Sequence, residues 1–197
     1  MRRRLSPEER REELLAFGQG FFAEHPADAF TMDQIAARAG VSKGLLYNYF
    51  GGRRGFYVAT VEAIAQQVSI LTEPEGDMAF VDALQRALAR YLGWVEDHGD
   101  VYRVLVQGGL GVDPEVAAIV ERLRRTTVER VTSRMRVTAS PALRLAIYGW
   151  VCFAEHACLE WLSQPEVDAD AMLALLTGAL AGAISGAGLS WDEVMHA

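Results

Sequence analysis

Residues 31–50 read TMDQIAARAGVSKGLLYNYF, a pattern that favours two short helices joined by a tight turn. Thr31 followed by Gln34 forms a capping box that begins the first helix, and Gly40 suits the left-handed position after its end. Ser42 can cap the second helix. Small or apolar residues fill the positions where the helices must cross and lock together: Ile35, Ala36, Ala39, Val41 and Leu46. The stretch therefore predicts a helix-turn-helix.

The second helix of this pair, which runs to about Tyr49, carries more polar and aromatic side chains than a buried helix can use. Leu46 and Phe50 suffice to anchor it. The remaining large side chains face outward: Lys43, Leu45, Tyr47, Asn48 and Tyr49. Lysine can bond guanine or a phosphate, asparagine can read adenine, and tyrosine hydroxyls commonly hold phosphates. The composition predicts DNA binding rather than an ordinary helical hairpin in a core.

Capping and breaking signals continue on both sides of this motif. A first helix begins at Ser6-Pro7-Glu8-Glu9 and ends at His25-Pro26, and a longer helix runs from about Arg53 to Leu71. Glu73-Pro74-Glu75-Gly76 is the best linker candidate. Five further helices are predicted over about 78–98, 100–109, 114–136, 141–163 and 169–186. Nine helices without a strand pattern predict an all-α fold.

Residues 10–60, and the stretch 31–50 above all, resemble the DNA-binding domain of the tetracycline-repressor (TetR) family of transcriptional regulators. The resemblance implies a three-helix, helix-turn-helix DNA-binding domain, which we place at residues 1–55. It also implies a C-terminal helical ligand-binding and dimerisation domain, at residues 56–197. The expected function is that of a homodimeric repressor, bound to a palindromic operator in double-stranded DNA and released by a small-molecule ligand.

The same resemblance implies which residues meet DNA. The helix that Ser42 caps would be the recognition helix, and Thr31 and Tyr49 would hold phosphates. Arg53 stands where the family commonly has a phosphate-binding Lys, and Gly52 stands where a capping Ser or Asn is usual. The candidate DNA-binding residues are Thr31, Ser42, Lys43, Gly44, Leu45, Tyr47, Asn48, Tyr49 and Arg53.

The distribution of charge agrees with a DNA-binding head on an acidic body. The whole chain of 197 residues has a net charge of −7, which alone argues against nucleic acid. Residues 1–60, however, hold nine Lys and Arg against seven Asp and Glu, so the negative balance belongs to the remainder. Such asymmetry is typical of a phosphate-facing segment.

The C-terminal part carries all four tryptophans, Trp94, Trp150, Trp161 and Trp191. The predicted helix over 141–163 is apolar on two sides, which indicates burial between two partners. The family architecture supplies a ligand pocket and a second subunit. We expect a mostly apolar effector, although plain core packing is the alternative for each aromatic side chain. The candidate ligand-binding residues are Trp94, Tyr102, Trp150 and Phe153.

Charged residues interrupt this apolar surface. A buried carboxylate at Glu155 needs a partner, and Arg103, Arg122 or a cationic ligand are the alternatives. His156 is expected to be structural rather than a metal ligand. Most of the arginines at 122, 124, 125, 130, 134 and 136 are expected to form a solvated face.

The last predicted helix lies in a stretch, 171–191, that has no charged residue and is long enough to span a bilayer. Its Ala and Gly content and acidic flanks favour a buried soluble helix, with no membrane partner. Gly178, Gly182 and Gly186 form one ridge. The ridge is expected at the dimer interface, with Leu159 and Leu162 as large partners. The alternative is that the ridge faces its own subunit.

The remaining features argue against other classes of protein. The two cysteines, Cys152 and Cys158, are expected to stay reduced in a cytoplasmic protein. No His and Cys cluster predicts a metal site, no cofactor is expected, and no catalytic motif indicates an enzyme. A DNA-binding protein that activates transcription, or that ignores ligands, remains the alternative function.

Overall fold

The computed structural model describes residues 5–25, 29–74, 76, 78–109 and 113–195. Ten α-helices occupy these residues, which contain no strand. Their bounds are α1 (Pro7–Glu24), α2 (Met32–Ala39), α3 (Lys43–Phe50), α4 (Arg53–Leu71), α5 (Phe80–Asp97), α6 (Gly99–Gly109), α7 (Pro114–Ser133), α8 (Pro141–Trp161), α9 (Ala169–Gly186) and α10 (Trp191–Met195). The all-α prediction is confirmed, and each of the nine predicted helices is present.

The short helix α10 is an addition to the predicted set. Five residues are too few for a periodic apolar pattern, but its capping box is visible in the sequence. The Glu193 N–H donates to Ser190 Oγ at 3.2 Å, and the Ser190 N–H donates to the Glu193 carboxylate at 2.6 Å. These bonds hold the pKa of Glu193 below its ordinary value. Helix α10 anchors to the body through Val194, which is fully buried.

Two apolar cores divide the chain, and α4 contributes to both. One core joins α1, α2, α3 and the start of α4, from Leu14 to Phe56. The other joins α4 to α10, from Val58 to Val194. The proposed domain boundary at 55/56 therefore falls inside one continuous helix, and it stays a prediction. A rigid helix shared between two cores can transmit displacements from one to the other.

Helices α1 and α4 cross closely at a glycine. A Cβ added at Gly18 would lie 2.5 Å from Thr60 Oγ1 and 2.9 Å from Phe56 Cζ. Thr60 is fully buried, and its hydroxyl donates to the Phe56 carbonyl at 2.8 Å. The absence of a side chain at Gly18 is what allows the N-terminal helices to pack on α4 at this distance.

Helix α9 packs against α8 through a single stripe. Its buried residues are Met172, Leu176, Leu180 and Ile184. Trp150 of α8 fixes the contact, because its indole N–H donates to the Leu176 carbonyl at 2.9 Å. By length and composition, residues 169–186 could also cross a membrane: their mean hydropathy is 1.5, and 22% of them are buried. Most of this apolar helix is thus uncovered in a single subunit.

Candidate nucleic-acid interface and ligand cavity

Helices α2 and α3 form the helix-turn-helix, and its predicted caps are confirmed. The Thr31 N–H donates to Gln34 Oε1 at 2.9 Å, while the Gln34 N–H donates to Thr31 Oγ1 at 3.4 Å. Gly40 has a φ of 66°, which few other residues adopt. The Leu45 N–H donates to Ser42 Oγ at 3.2 Å and begins α3. These local bonds fix the angle between the two helices.

The outer face of α3 is open to solvent. Ile35 and Leu46 are fully buried and lock α2 to α3. Most of the candidate DNA-binding residues are exposed: Thr31, Ser42, Lys43, Gly44, Tyr47, Asn48 and Arg53. Leu45 and Tyr49 are half-buried at the edges. The nine candidates are therefore all accessible on the head, and their individual contacts with DNA stay predictions.

Lys43 of the helix-turn-helix forms an ion pair with an acidic residue of α2. Lys43 Nζ donates to Asp33 Oδ2 at 2.8 Å, and both side chains are at least half exposed. The hydrogen bond and the charge of Asp33 raise the pKa of Lys43. The ammonium group keeps further N–H donors for a base or a phosphate. Arg53 lies nearby at the start of α4, where its guanidinium donates to the Phe30 carbonyl at 3.4 Å.

A cavity lies inside the second core, bounded by residues of α4, α5, α6, α7 and α8. Its volume, measured as the space open to the centre of a water-sized sphere, is about 120 Å³. The lining is mostly apolar and includes Leu84, Leu88, Val120, Val131, Trp150 and Val151. Polar side chains reach it at a few points: Tyr91, Tyr102, Arg124, Arg130, Arg134 and Glu155.

Both halves of the chain match known families of one kind. Residues 19–60 match the family described as bacterial regulatory proteins, tetR family, and residues 80–182 match the tetracyclin repressor-like, C-terminal domain. The chain belongs to the TetR family. It is therefore a helix-turn-helix transcriptional regulator, as residues 31–50 predict. TetR-family regulators bind DNA and form dimers, and regulation by a bound ligand is typical of them.

Individual relatives agree with this assignment. The chain is 26% identical over 171 residues to the HTH-type transcriptional activator FasR of Mycolicibacterium smegmatis, covering 81% of this chain and 75% of that protein. It is 29% identical over 161 residues to an HTH-type transcriptional repressor of Mycobacterium tuberculosis, covering 77% and 79%.

Solved structures share the same architecture. A tetR-family transcriptional regulator from Streptomyces coelicolor superposes with a TM-score of 0.80 at 25% identity, over 93% of this chain and 84% of that one. The regulator FadR from Bacillus subtilis, solved in complex with stearoyl-CoA, has a TM-score of 0.68 at 13% identity over 89% and 98%. The second likeness shows the fold alone.

The four candidate ligand residues of this TetR-family chain lie in different places. Tyr102 and Trp150 line the cavity. Trp94 is buried behind Tyr102, with the two rings 6.3 Å apart, and is not part of the lining. Phe153 is 42% exposed on the outer side of α8, which turns it away from the cavity. Of these four, the cavity therefore brings together only Tyr102 and Trp150.

Glu155 pairs with Arg124, so neither Arg103 nor Arg122 is its partner. The Arg124 guanidinium reaches the Glu155 carboxylate at 2.7 Å and 2.9 Å, and both side chains are nearly buried. Arg103 pairs instead with Asp100, and Arg122 with Glu62. Burial raises the pKa of Glu155, and Arg124 offsets part of that rise by favouring the carboxylate. The cavity wall thus contains an ion pair in which Arg124 and Glu155 neutralise each other.

Two tyrosines and a cysteine stand beside this pair. The Tyr102 hydroxyl donates to the Glu155 backbone carbonyl at 3.0 Å, and the two tyrosine oxygens of Tyr91 and Tyr102 are 2.6 Å apart. Since Tyr102 has a single proton to donate, Tyr91 is the donor between them. Burial raises the pKa of Cys158 to about 12, so its thiol stays protonated. The hydroxyl groups of Tyr91 and Tyr102 thus have hydrogen-bond partners within the protein.

Two arginines of α7 and the arginine at its C-cap line the cavity, which corrects the expectation of a solvated face for these three. They are Arg124, Arg130 and Arg134. Their signal in the sequence is helical spacing, because they share the face that carries Val120, Thr127 and Val131. Arg125 does fit the expectation, since it is 73% exposed and pairs with Glu121.

The candidate dimer residues differ in exposure. Gly178, Gly182 and Gly186 are exposed, and a Cβ added at any of them meets nothing within 4 Å. Leu159 and Leu162 are half-buried against their own core, and a Cβ at Gly99 would lie 2.9 Å from Leu162 Cδ2. Leu162 therefore packs largely within its subunit. The uncovered large side chains of α8 and α9 are Leu145, Phe153 and Leu175.

Within the described residues, no group of three or more His, Cys, Asp or Glu side chains could hold a metal ion. His156 is exposed, and its Nδ1 lies 2.9 Å from the Cys152 carbonyl of the same helix.

Proposed function

We propose that this TetR-family regulator is a cytoplasmic homodimeric repressor, released from a palindromic operator by a mostly apolar small molecule. The observation that carries this proposal is the apolar cavity, because its lining includes Val68 of the same α4 helix that begins at the DNA-binding head. An effector in the cavity contacts an element whose other end lies against α3. Ligand release from DNA requires that the ligand prefer one arrangement of these elements.

Ion pairs tie the head to α7 and offer a route for this coupling. Arg54, in the first turn of α4, donates to both carboxylate oxygens of Asp113 at 2.8 Å and also pairs with Glu115. Asp113 is the N-cap of α7, and α7 carries much of the cavity wall. We propose that displacement of α7 by an effector moves the start of α4 and changes the spacing of the two recognition helices.

The proposed dimer surface consists of the outer faces of α8 and α9. Leu145, Phe153 and Leu175 expose apolar surface there, and the ridge of Gly178, Gly182 and Gly186 is bare. Apolar patches of this kind mark interaction sites. We therefore propose that Phe153, which is exposed, belongs to the dimer surface rather than to the ligand site.

Lys43→Ala or Tyr47→Ala should weaken specific operator binding by about 1–3 kcal/mol each, because each removes a side chain that reaches the groove from α3. Arg53→Ala should weaken binding to all sequences and lower the salt slope by about one, as expected of a phosphate contact. Titration of labelled operator and of unrelated DNA at several salt concentrations separates the two effects. Unchanged operator affinity in all three variants would refute this DNA-binding surface.

The function itself is tested by isolating the bound genomic fragments and screening compounds by thermal shift. Compounds that raise the melting temperature are then added to operator complexes. A repressor predicts that hits lower operator affinity and that deletion of the protein raises transcription of the adjacent gene. A fall in transcription on deletion would instead show an activator, as FasR is named. Cavity ligands that leave operator affinity unchanged would refute ligand control.

A further inference from the structure

We infer that the cavity recognises an amphipathic anion, with an apolar chain in the cavity and its carboxylate or phosphate group at Arg130 and Arg134. The inference rests on the proposed function and names the chemical class of its effector. It follows from an imbalance of charge on the cavity wall, which the ion pair of Arg124 with Glu155 does not remove.

Arg130 lies in the last turn of α7 and Arg134 is the C-cap of the same helix, about one turn further on, and both line the cavity. The Arg130 guanidinium donates to the Ser69 carbonyl at 2.6 Å, and the Arg134 guanidinium donates to the Met78 carbonyl at 2.8 Å. Across the described part of the chain, neither has a carboxylate partner. Among the described residues, the two cationic groups are therefore held at an apolar cavity by backbone carbonyl oxygens.

Arg134 also carries an unused donor. Its Nε is buried and has no hydrogen-bond partner among the described residues. A buried donor without a partner costs free energy, and an oxyanion at this place would remove that cost. Guanidinium groups match carboxylate and phosphate geometry with paired N–H donors. Arg130 adds a second cation about 6 Å along the same helix face.

The rest of the lining suits an apolar chain rather than a second polar group. Of the other polar groups, Arg124 and Glu155 pair with each other. The hydroxyls of Tyr91 and Tyr102 already form hydrogen bonds within the protein. The remaining surface is supplied by residues such as Leu84, Leu88 and Trp150. An acid with an unbranched chain satisfies both parts of the cavity at once.

Anion binding at Arg130 would also affect α4. Ser69 lies in the last turn of α4, where carbonyl groups lack partners within the helix, so Arg130 joins the end of α4 to α7. An anion competes with the Ser69 carbonyl for the same donors. Occupation of the cavity would therefore loosen the contact between α7 and the helix that begins at the DNA-binding head.

The test measures calorimetric affinity for probes that share a chain and differ in the head group. Dodecanoate, dodecyl phosphate, dodecanol and dodecylamine are compared below their micellar concentrations, and octanoate and hexadecanoate vary the chain. We expect at least one anion to bind about tenfold or more tightly than the alcohol of its chain length, and the amine most weakly. The two anions identify whether carboxylate or phosphate is preferred.

Variants separate the site from general effects on folding. Arg134→Gln and Arg130→Gln should bring anion and alcohol affinities within about twofold of each other, with alcohol binding unchanged as the measure of an intact cavity. Arg134→Lys should keep part of the preference for the anion, and Arg125→Gln, on the exposed face of α7, should keep all of it.

Equal binding of anion and alcohol by the natural protein would overturn the anion site but would leave the proposal of an apolar effector intact. Absence of binding by every probe would overturn the amphipathic anion. Failure of the proposed function would give a different result: the probe would bind to the protein without changing its affinity for the operator.

Discussion

Arg124→Met should lower the free energy of unfolding by about 3 kcal/mol at neutral pH, the lower part of the range for breaking a buried ion pair. The substitution leaves Glu155, which is 8% exposed, on an apolar cavity wall without its partner. The remaining bonds cannot replace Arg124, because Tyr102 donates to the Glu155 backbone and not to its carboxylate. Urea unfolding at equal slope measures the change.

The deficit should depend on pH in a defined direction. Burial raises the pKa of Glu155 in the folded state, and loss of Arg124 raises it further, because Arg124 favours the carboxylate. Since the folded-state pKa lies above the unfolded one, the protonated form stabilises the fold and this contribution is lost as the pH rises through the folded-state pKa. Arg124→Met should therefore approach the natural protein in stability near pH 4.5 and fall behind it toward neutral pH.

A double variant separates the ion pair from simple loss of packing. Arg124→Met with Glu155→Met removes both charges, and apolar replacement of a buried pair is often neutral or stabilising. We expect it to recover most of the loss and to lack the added pH dependence. Arg125→Met is the matched control, because Arg125 is 73% exposed on the same helix and should change stability by less than about 0.5 kcal/mol. A single variant as stable as the natural protein at neutral pH would contradict the prediction.

The parts of the structure that sequence predicts well are those fixed by neighbouring residues. Each predicted cap at Ser6, Thr31 and Ser42 is confirmed by a bond that spans three residues, as is the N-cap of α8 at Ser140. Local bonds need no knowledge of the rest of the chain. For this reason the helix-turn-helix was predictable with the turn at Gly40 and the outward face of α3.

The cavity depends on contacts that sequence spacing does not resolve. Trp150 and Phe153 are neighbours on α8, and both are large and apolar. The indole N–H of Trp150 donates to the Leu176 carbonyl on α9, whereas Phe153 is exposed. Charge alone also gives the wrong position for two arginines. Arg130 and Arg134 would ordinarily be expected to face water, but they donate to backbone carbonyls of residues distant in sequence. Both outcomes are set by tertiary packing.

Gly182→Leu should convert dimers to monomers and lower operator affinity by roughly 10²–10⁴-fold, because binding of a second half-site would lose its tether. Gly182 is exposed, and a Cβ there meets no atom within 4 Å of its own subunit. Leucine is a better helix former than glycine by about 1 kcal/mol, so the monomer itself should not be weakened. A clash can arise only with something that covers α9 from outside.

Sedimentation velocity, circular dichroism and operator titration together identify what covers it. A dimer surface predicts monomers with unchanged helicity and weak operator binding. Gly182→Ala should have a much smaller effect, because a methyl group adds little bulk. Gly93→Leu on α5 is the matched control, since a Cβ there also meets nothing within 4 Å but α5 lies outside the proposed surface.

If Gly182→Leu stays dimeric at micromolar concentration, the dimer surface lies elsewhere. Flotation of the natural protein with lipid vesicles, abolished in the variant, would show instead that the apolar face of α9 meets a membrane. We expect no flotation, because bare glycine ridges suit close packing of helices and the acidic Asp168 and Asp170 flank the start of α9.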